Sequence, residues 1–348
     1  MKILIVTQKV DKDDDVLGFF HRWLEEFAKL TTALTVISLE QGAYSLPPHV
    51  KVFSLGKERG KSKIKYIFNF YKYIWQERKS YNMVFVHMNP IYIVLGGIFW
   101  KLMGKKIALW YTHRQVDMKL RLAAWGADII FSSAKESFRL PSKKLHIVGH
   151  GIDTEVFAPR EKAPHEIFSI LHVGRITKIK NCDILIKAAA LVAKKTQKPF
   201  KITFIGKTAQ PEDVAYEQEL KKLITDLGVR HQVEFVGSIP NRSLPHEYHE
   251  ADITVNLTPT GGIDKAVLES FSTGTPALVT NEAFAEFLGD DKQLLVKYQD
   301  PEDLADKITA LMNHDTSALT TRLGEKVRQK YSVTKLIPTL INEMKSLL

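Results

Sequence analysis

A single cysteine, Cys182, is the only thiol in the 348-residue chain. No internal disulfide can form, so a reducing compartment is expected. Long hydrophobic runs are also missing. The longest, Ile91–Trp100, reaches roughly half of the ~20 residues that span a bilayer and reads as a core or interfacial helix. The apolar start Ile3–Val6 passes directly into Thr7-Gln8-Lys9 and the acidic Asp11–Asp15, so no signal-peptide region is expected. Histidine and cysteine nowhere cluster at zinc-ligand spacing. No repeat or low-complexity tract stands out, and a disulfide scaffold, a spanning protein and a repeat array are all disfavoured.

What is present is charge of one sign. Lys plus Arg number 49 against 39 Asp plus Glu, a net +10, which predicts an anionic partner: nucleic acid, a nucleotide or a membrane surface. The hydrophobic share of 45% fits a folded chain, and the length suits two domains of ordinary size.

Short β-branched or aromatic runs alternate with helical patterns along almost the whole chain. Strands are expected from Lys2–Thr7 to Leu145–Val148 in the first half, and from Phe168–Val173 to Gln293–Lys297 in the second. Many are continuously apolar, the mark of strands covered on both faces. Helices are expected over Val16–Leu30, Asp183–Lys195, Glu212–Leu227, Asp264–Phe271 and Pro301–Asn313. This alternation predicts an α/β protein with two doubly wound parallel sheets. The proline- and charge-rich stretch Phe157–His165 reads as a linker, giving domains 1–158 and 167–329. The last stretch, 330–348, reads as a helix whose place spacing alone does not decide.

Ligands of such sheets collect beyond the carboxyl ends of the strands. Two segments stand there. In His172-Val173-Gly174-Arg175, followed by Lys180, two cations share one loop just before a helix. That arrangement suits a diphosphate leaving group, although on these residues alone two solvated loop cations are the preferred reading. In Gly261-Gly262-Ile263-Asp264, leading to Glu269, a Gly-Gly turn exposes backbone N–H groups before a helix that looks buried. A carboxylate in that helix needs partners. Two ribose hydroxyls or a nearby Lys or Arg would both serve.

The ordered set Gly149-His150-Gly151-Ile152-Asp153, Phe157-Ala158-Pro159, Val173-Gly174-Arg175 with Lys180, Phe235-Val236-Gly237, Ala251-Asp252 and Leu268-Glu269 with Gly274-Thr275-Pro276 resembles the retaining glycosyltransferases of family 4. The resemblance implies the GT-B fold: two Rossmann-like domains facing a central cleft, an N-terminal acceptor side, a C-terminal nucleotide-sugar side, and a last helix crossing back to the first domain. It implies that Arg175 and Lys180 grip the donor diphosphate and that Glu269 binds the ribose. It places Gly174, Gly237, Gly261, Gly262, Ile263 and Asp264 around the donor, Gly18 facing its phosphates, and His113 against its sugar. No metal and no cofactor are implied beyond the nucleoside diphosphate sugar itself, with a uridine donor favoured over GDP-mannose. One departure stands out. The family's Glu-x7-Glu pattern has Gly261 where its first glutamate belongs, and Asp264 is the nearest carboxylate that could substitute. The run Asp11–Asp15 reads as a solvated loop ahead of a helix rather than as a metal site.

The positive charge is unevenly spread. Residues 57–79 carry +6 of the total, interleaved with Tyr66, Phe68, Phe70, Tyr71, Tyr73 and Trp75. As a helix, Ile64, Ile67, Phe68, Tyr71, Ile74 and Trp75 form one apolar stripe. Contact with an anionic membrane through Lys61, Lys63, Lys65, Lys72 and Trp75 is expected, with burial of the stripe against the sheet as the plain alternative. No nucleic-acid module is recognisable. The expectation is therefore a retaining, metal-independent hexosyltransferase of glycan biosynthesis. It would be cytoplasmic and peripheral on the inner face of the cytoplasmic membrane, acting on a lipid-linked or glycan acceptor. A nucleotide-sugar-binding scaffold without transfer is the rival.

Overall fold

The computed structural model describes residues 1–60, 62–161 and 166–348. These divide into two units: Met1–Asp153 with Pro240–Arg242 and Tyr331–Leu348, and Thr154–Ile239 with Ser243–Lys330.

The first unit contains β1 (Lys2–Val10), α1 (Phe19–Leu30), β2 (Ala33–Gln41), β3 (Val50–Ser54), α2 (Lys63–Gln76), β4 (Met83–His87), α3 (Ile91–Leu102), β5 (Lys106–Trp110), α4 (Met118–Gly126), β6 (Ile129–Ser132) and β7 (Leu145–Ile147). Its seven strands are all parallel in the order β3-β2-β1-β4-β5-β6-β7. The continuous run Ile3-Leu4-Ile5-Val6 shows why: Ile3 and Ile5 enter the core under α1, and Leu4 and Val6 enter the core under α2, α3 and α4. Both faces are covered, as a crossover topology requires. On α1, Phe20, Trp23, Leu24 and Phe27 form the buried stripe.

Two expectations are corrected in this unit. The run Asp11–Asp15 is not a freely solvated loop. Lys9 Nζ lies 3.2 Å from Asp11, 2.7 Å from Asp14 and 3.3 Å from Glu40. Burial works against the Lys9 charge, but its bonds to Asp14 and Asp11 outweigh that and raise its pKa. Asp14 also accepts the N–H groups of Val16 and Leu17 at 2.9 and 2.6 Å, which fixes the chain ahead of α1. The second correction concerns α2. Phe70 and Ile74 are its buried residues, whereas Ile64, Ile67, Phe68 and Trp75 face outward. Periodicity located a stripe but not the side on which the sheet lies.

The second unit contains β8 (Phe168–Val173), α5 (Cys182–Lys195), β9 (Phe200–Ile205), α6 (Pro211–Asp226), β10 (Val233–Gly237), α7 (Leu244–Glu250), β11 (Ile253–Asn256), α8 (Lys265–Ser272), β12 (Ala277–Val279), α9 (Ala285–Leu288), α10 (Pro301–Leu311) and α11 (Ser317–Lys330). Its parallel strands run β10-β9-β8-β11-β12. Gln293–Lys297, expected as a strand, touches the sheet only through a bridge between Val279 and Leu295. Gln293 and Leu294 instead belong to a single 3-10 turn, Lys292–Leu294, which leaves only the end of the run extended. This unit begins at Thr154, ahead of the expected linker, because Phe157 is buried against Tyr248 and its carbonyl accepts from the Ser272 hydroxyl at 2.6 Å. Residues 162–165 of that stretch lie outside the described residues.

The chain then returns to the first unit. Val333–Lys345 forms α12, whose Leu336, Ile337, Leu340, Ile341 and Met344 share the core of α1. The Ile152 N–H donates to Tyr331 O at 2.6 Å, and the Val333 N–H donates to Ile152 O at 2.8 Å. Among the described residues no helix is long and apolar enough to cross a membrane.

Candidate functional site

In the second unit the strand order reverses between β8 and β11, which makes their carboxyl ends the place where a doubly wound sheet binds ligands. The chain leaves β8 through Gly174 and Arg175 and enters α5. It leaves β11 at Asn256 and enters α8. Lys180 Nζ lies 2.8 Å from Asp264 Oδ2, and Asn256 Nδ2 donates to the same oxygen at 3.0 Å. The other oxygen, Asp264 Oδ1, accepts from the Ala266 N–H at 3.1 Å and caps α8. Burial opposes the Asp264 charge, yet the Lys180 ammonium, Asn256 and the capping N–H together hold its carboxyl far below the usual range. Residues 84 apart in sequence thus form one charged cluster joining the starts of two helices. Arg175 stands exposed on the same loop.

Beneath this cluster His172 ties β8 to β11. Its Nδ1 lies 3.1 Å from Val255 O. A carbonyl only accepts, so the proton sits on Nδ1, and Nε2 faces Cys182 Sγ at 3.9 Å. Burial, helped by Lys180, pushes the His172 pKa down to about 4. In the first unit His87, stacked on Phe20 and 3.1 Å from the Thr7 hydroxyl, is pushed by burial to about 3. Both imidazoles are neutral in the fold, whereas an unfolded one titrates near ~6.5. The unfolded chain therefore binds more protons below that value, and the stability these groups contribute is full above it. It falls as pH drops toward 4, by about 1.4 kcal/mol per pH unit for each imidazole once the unfolded group is protonated. Thermal unfolding midpoints should decline from pH 7 to pH 5, and His87→Gln or His172→Gln should flatten the profile. A flat wild-type profile contradicts the buried neutral state.

The glycines line up along the neighbouring strand ends. The Gly174 N–H donates to Ile205 O at 2.9 Å, and the Gly206 N–H donates to Gly237 O at 2.8 Å. Sequence reading named Gly174 and Gly237 and missed Gly206. A Cβ there would lie 1.8 Å from Gly174 O, so the two loops approach backbone to backbone. The available signal was its place directly after a strand, as in Gly174.

Glu269 is buried and finds local partners, Lys265 Nζ at 3.0 Å and the Tyr248 hydroxyl at 3.3 Å. Of the two readings the sequence left open, this is the ion-pair arrangement. The turn Gly261-Gly262-Ile263 is held by Asn281, whose Nδ2 donates to Gly262 O at 3.0 Å and Gly261 O at 3.3 Å. Asn281 and Asn256 were not foreseen, and each sits at or just past a strand's end. Gly261 adopts φ +131 with open space beside it. The departure from the glutamate pattern is therefore matched by a backbone that side chains rarely adopt. Asp264, expected as a substitute carboxylate, is already engaged by Lys180 and the α8 cap.

In the first unit, Gly18 opens α1 where a Cβ would meet the carbonyl oxygens of Asp14 and Lys12 at 2.5 and 3.2 Å. Close packing alone explains this glycine. His113 is exposed just after β5, its Nδ1 accepting from the Gln115 N–H at 3.2 Å. Lys63, Lys65, Lys72 and Trp75 are exposed on α2, whereas Lys61 lies outside the described residues.

The family model described as glycosyl transferases group 1 matches residues 153–330. The chain belongs to that family. Among curated relatives, D-inositol 3-phosphate glycosyltransferase 1 of Catenulispora acidiphila is 28% identical over 195 residues, covering 52% of this chain and 46% of that protein. The D-inositol 3-phosphate glycosyltransferase of Thermomonospora curvata is 26% identical over 211 residues, covering 53% and 49%. The chain spans about half the length of the curated relatives it matches. Among solved structures, Anabaena HepE in complex with UDP and glucose superposes with a TM-score of 0.78 at 18% identity, all of both chains being covered. Sucrose-phosphate synthase from Thermosynechococcus elongatus gives 0.77 at 15%, again over both whole chains. The fold of this member of the group 1 family is thus GT-B, with two Rossmann-like domains.

Proposed function

We propose that the protein transfers a sugar, with retention, from a nucleoside diphosphate sugar to a hydroxyl of a lipid-linked or glycan acceptor at the inner membrane surface. The observation that carries this reading is the Lys180–Asp264–Asn256 cluster at the β8/β11 switch point, with Arg175 exposed beside it. When the anomeric C–O bond breaks, its electron pair goes to the departing diphosphate. Arg175 and Lys180 supply the two positive charges that this anion needs, Lys180 exchanging Asp264 for a phosphate oxygen. Two such cations do the work for which a bound metal would otherwise be required, so chelator should leave turnover unchanged. The α5 N-terminus following Lys180 adds its dipole. Glu269 would turn from Lys265 to the ribose hydroxyls, the backbone at Gly237 would meet the base, and Gly261, Gly262 and Ile263 would line the sugar. UDP and UDP-glucose bound to Anabaena HepE favour a uridine donor.

Gly261 and the engaged Glu269 favour one rival, a nucleotide-sugar-binding scaffold without transfer. A thermal-shift screen of UDP- and GDP-sugars, followed by assay of sugar release, separates the two. A donor at 100 times its Kd stabilises the fold by about 2.7 kcal/mol, and transfer or hydrolysis follows. A shift without sugar release favours the scaffold. No shift with any nucleotide sugar removes both.

A further inference from the structure

The first unit turns three helices, not one, into a basic apolar face. On α2, Ile64 and Phe68 are 82% and 69% exposed; on α3, Ile98 and Leu102 are 70% and 82%; on α4, Met118 and Trp125 are 67% and 77%. These helices adjoin one another. The Tyr71 hydroxyl donates to Leu95 O at 3.0 Å and its ring lies 5.2 Å from Phe99, joining α2 to α3. Lys101 Nζ sits 5.6 Å over the Trp125 ring, joining α3 to α4. Large apolar side chains left in water on three adjacent elements mark an interaction surface rather than scattered exposure.

Charge selects the occupant. Lys63, Lys65, Lys72, Lys101, Lys119 and Arg121 lie on these helices, and none of the three carries a carboxylate. The flanking acids are engaged: Asp117 caps α4 through the Leu120 N–H at 2.8 Å, and Glu77 pairs with Lys51 at 3.0 Å. A second copy of this chain would set cation against cation across a two-fold axis. Nucleic acid would need aromatic platforms, whereas the exposed residues of α3 and α4 are mostly aliphatic. A bilayer meets both demands, because aliphatic and Trp side chains enter the headgroup boundary while Lys and Arg reach anionic lipid.

We propose that the α2–α3–α4 face is the surface by which the protein seats on an anionic bilayer, with α3 and α4 supplying contacts beyond the 57–79 segment. The proposal shares with the proposed function only the membrane-attached acceptor, and donor binding does not depend on it.

The test is flotation of the full chain with vesicles of phosphatidylcholine alone and of phosphatidylcholine with phosphatidylglycerol in equal parts. Wild type should bind the anionic vesicles at least about tenfold better, less so at high salt. Leu102→Ser/Trp125→Ser and Lys101→Glu/Lys119→Glu should each lose about tenfold or more. Both variants should keep the wild-type melting temperature and nucleotide-sugar thermal shift, since neither pair lies at the donor loops. Lys101→Arg/Lys119→Arg should bind as wild type. Equal binding to both vesicles, or variants that bind anionic vesicles unchanged, overturns the proposal. So does a wild-type dimer in sedimentation that Leu102→Ser/Trp125→Ser dissolves, which would make the face an interface between copies. Loss of the donor shift in wild type bears on the proposed function alone.

Discussion

Replacing Arg175 with alanine should lower kcat by about two to three orders of magnitude, close to 3–4 kcal/mol of transition-state stabilisation, while the protein stays folded. The reasoning separates Arg175 from its neighbour. Arg175 is exposed, so its removal leaves no buried group unpaired and costs little stability. Lys180 holds the half-buried Asp264 at 2.8 Å. Lys180→Met therefore removes a charge from the proposed leaving group and also strands a carboxylate, and both turnover and melting temperature should fall. Steady-state kinetics with circular dichroism distinguishes the two variants. Unchanged turnover in Arg175→Ala would sink the proposed leaving-group role.

Gly206→Ala should be the most damaging single methyl in the second unit, at about 3 kcal/mol or more. The new Cβ would sit 1.8 Å from Gly174 O and 2.7 Å from Gly174 C, at a backbone φ of +152. Relief requires the ends of β8 and β9 to part, breaking the bonds that Gly174 and Gly206 make at 2.9 and 2.8 Å. Gly228→Ala is the control, since it carries φ +69 but has nothing within 4 Å. It should cost about 1 kcal/mol. Urea unfolding of both variants is the measurement. If Gly206→Ala is no worse than Gly228→Ala, the close approach of the two loops is wrong.

Much of the candidate site lay in the open because strand ends announce themselves. Val173-Gly174-Arg175 and the Gly261-Gly262 turn follow apolar runs, and a doubly wound sheet puts such ends at its ligand edge. Asn281 and Gly206 escaped notice because each acts on a partner far away in sequence, and Asn256 because only the folded turn between β11 and α8 brings it to Asp264. Asn281, for example, holds the carbonyls of Gly261 and Gly262 across 20 and 19 residues. The Gln293–Lys297 run fails for a different reason: Lys292–Leu294 closes a 3-10 turn, which a local β-like pattern does not show.

The sequence by itself determined the two parallel α/β sheets, the family and the strand-end segments of the candidate site. Continuous apolar strands between helices admit no other covering, and motif order survives without knowledge of contacts. The tertiary structure alone decided which side of α2 faces water, that α3 and α4 extend its basic apolar face, and that Lys180 is held by Asp264. Periodicity gives the angle between side chains on one helix but not the direction of the core. An ion pair across 84 residues exists only after the sheet has brought two strand ends together.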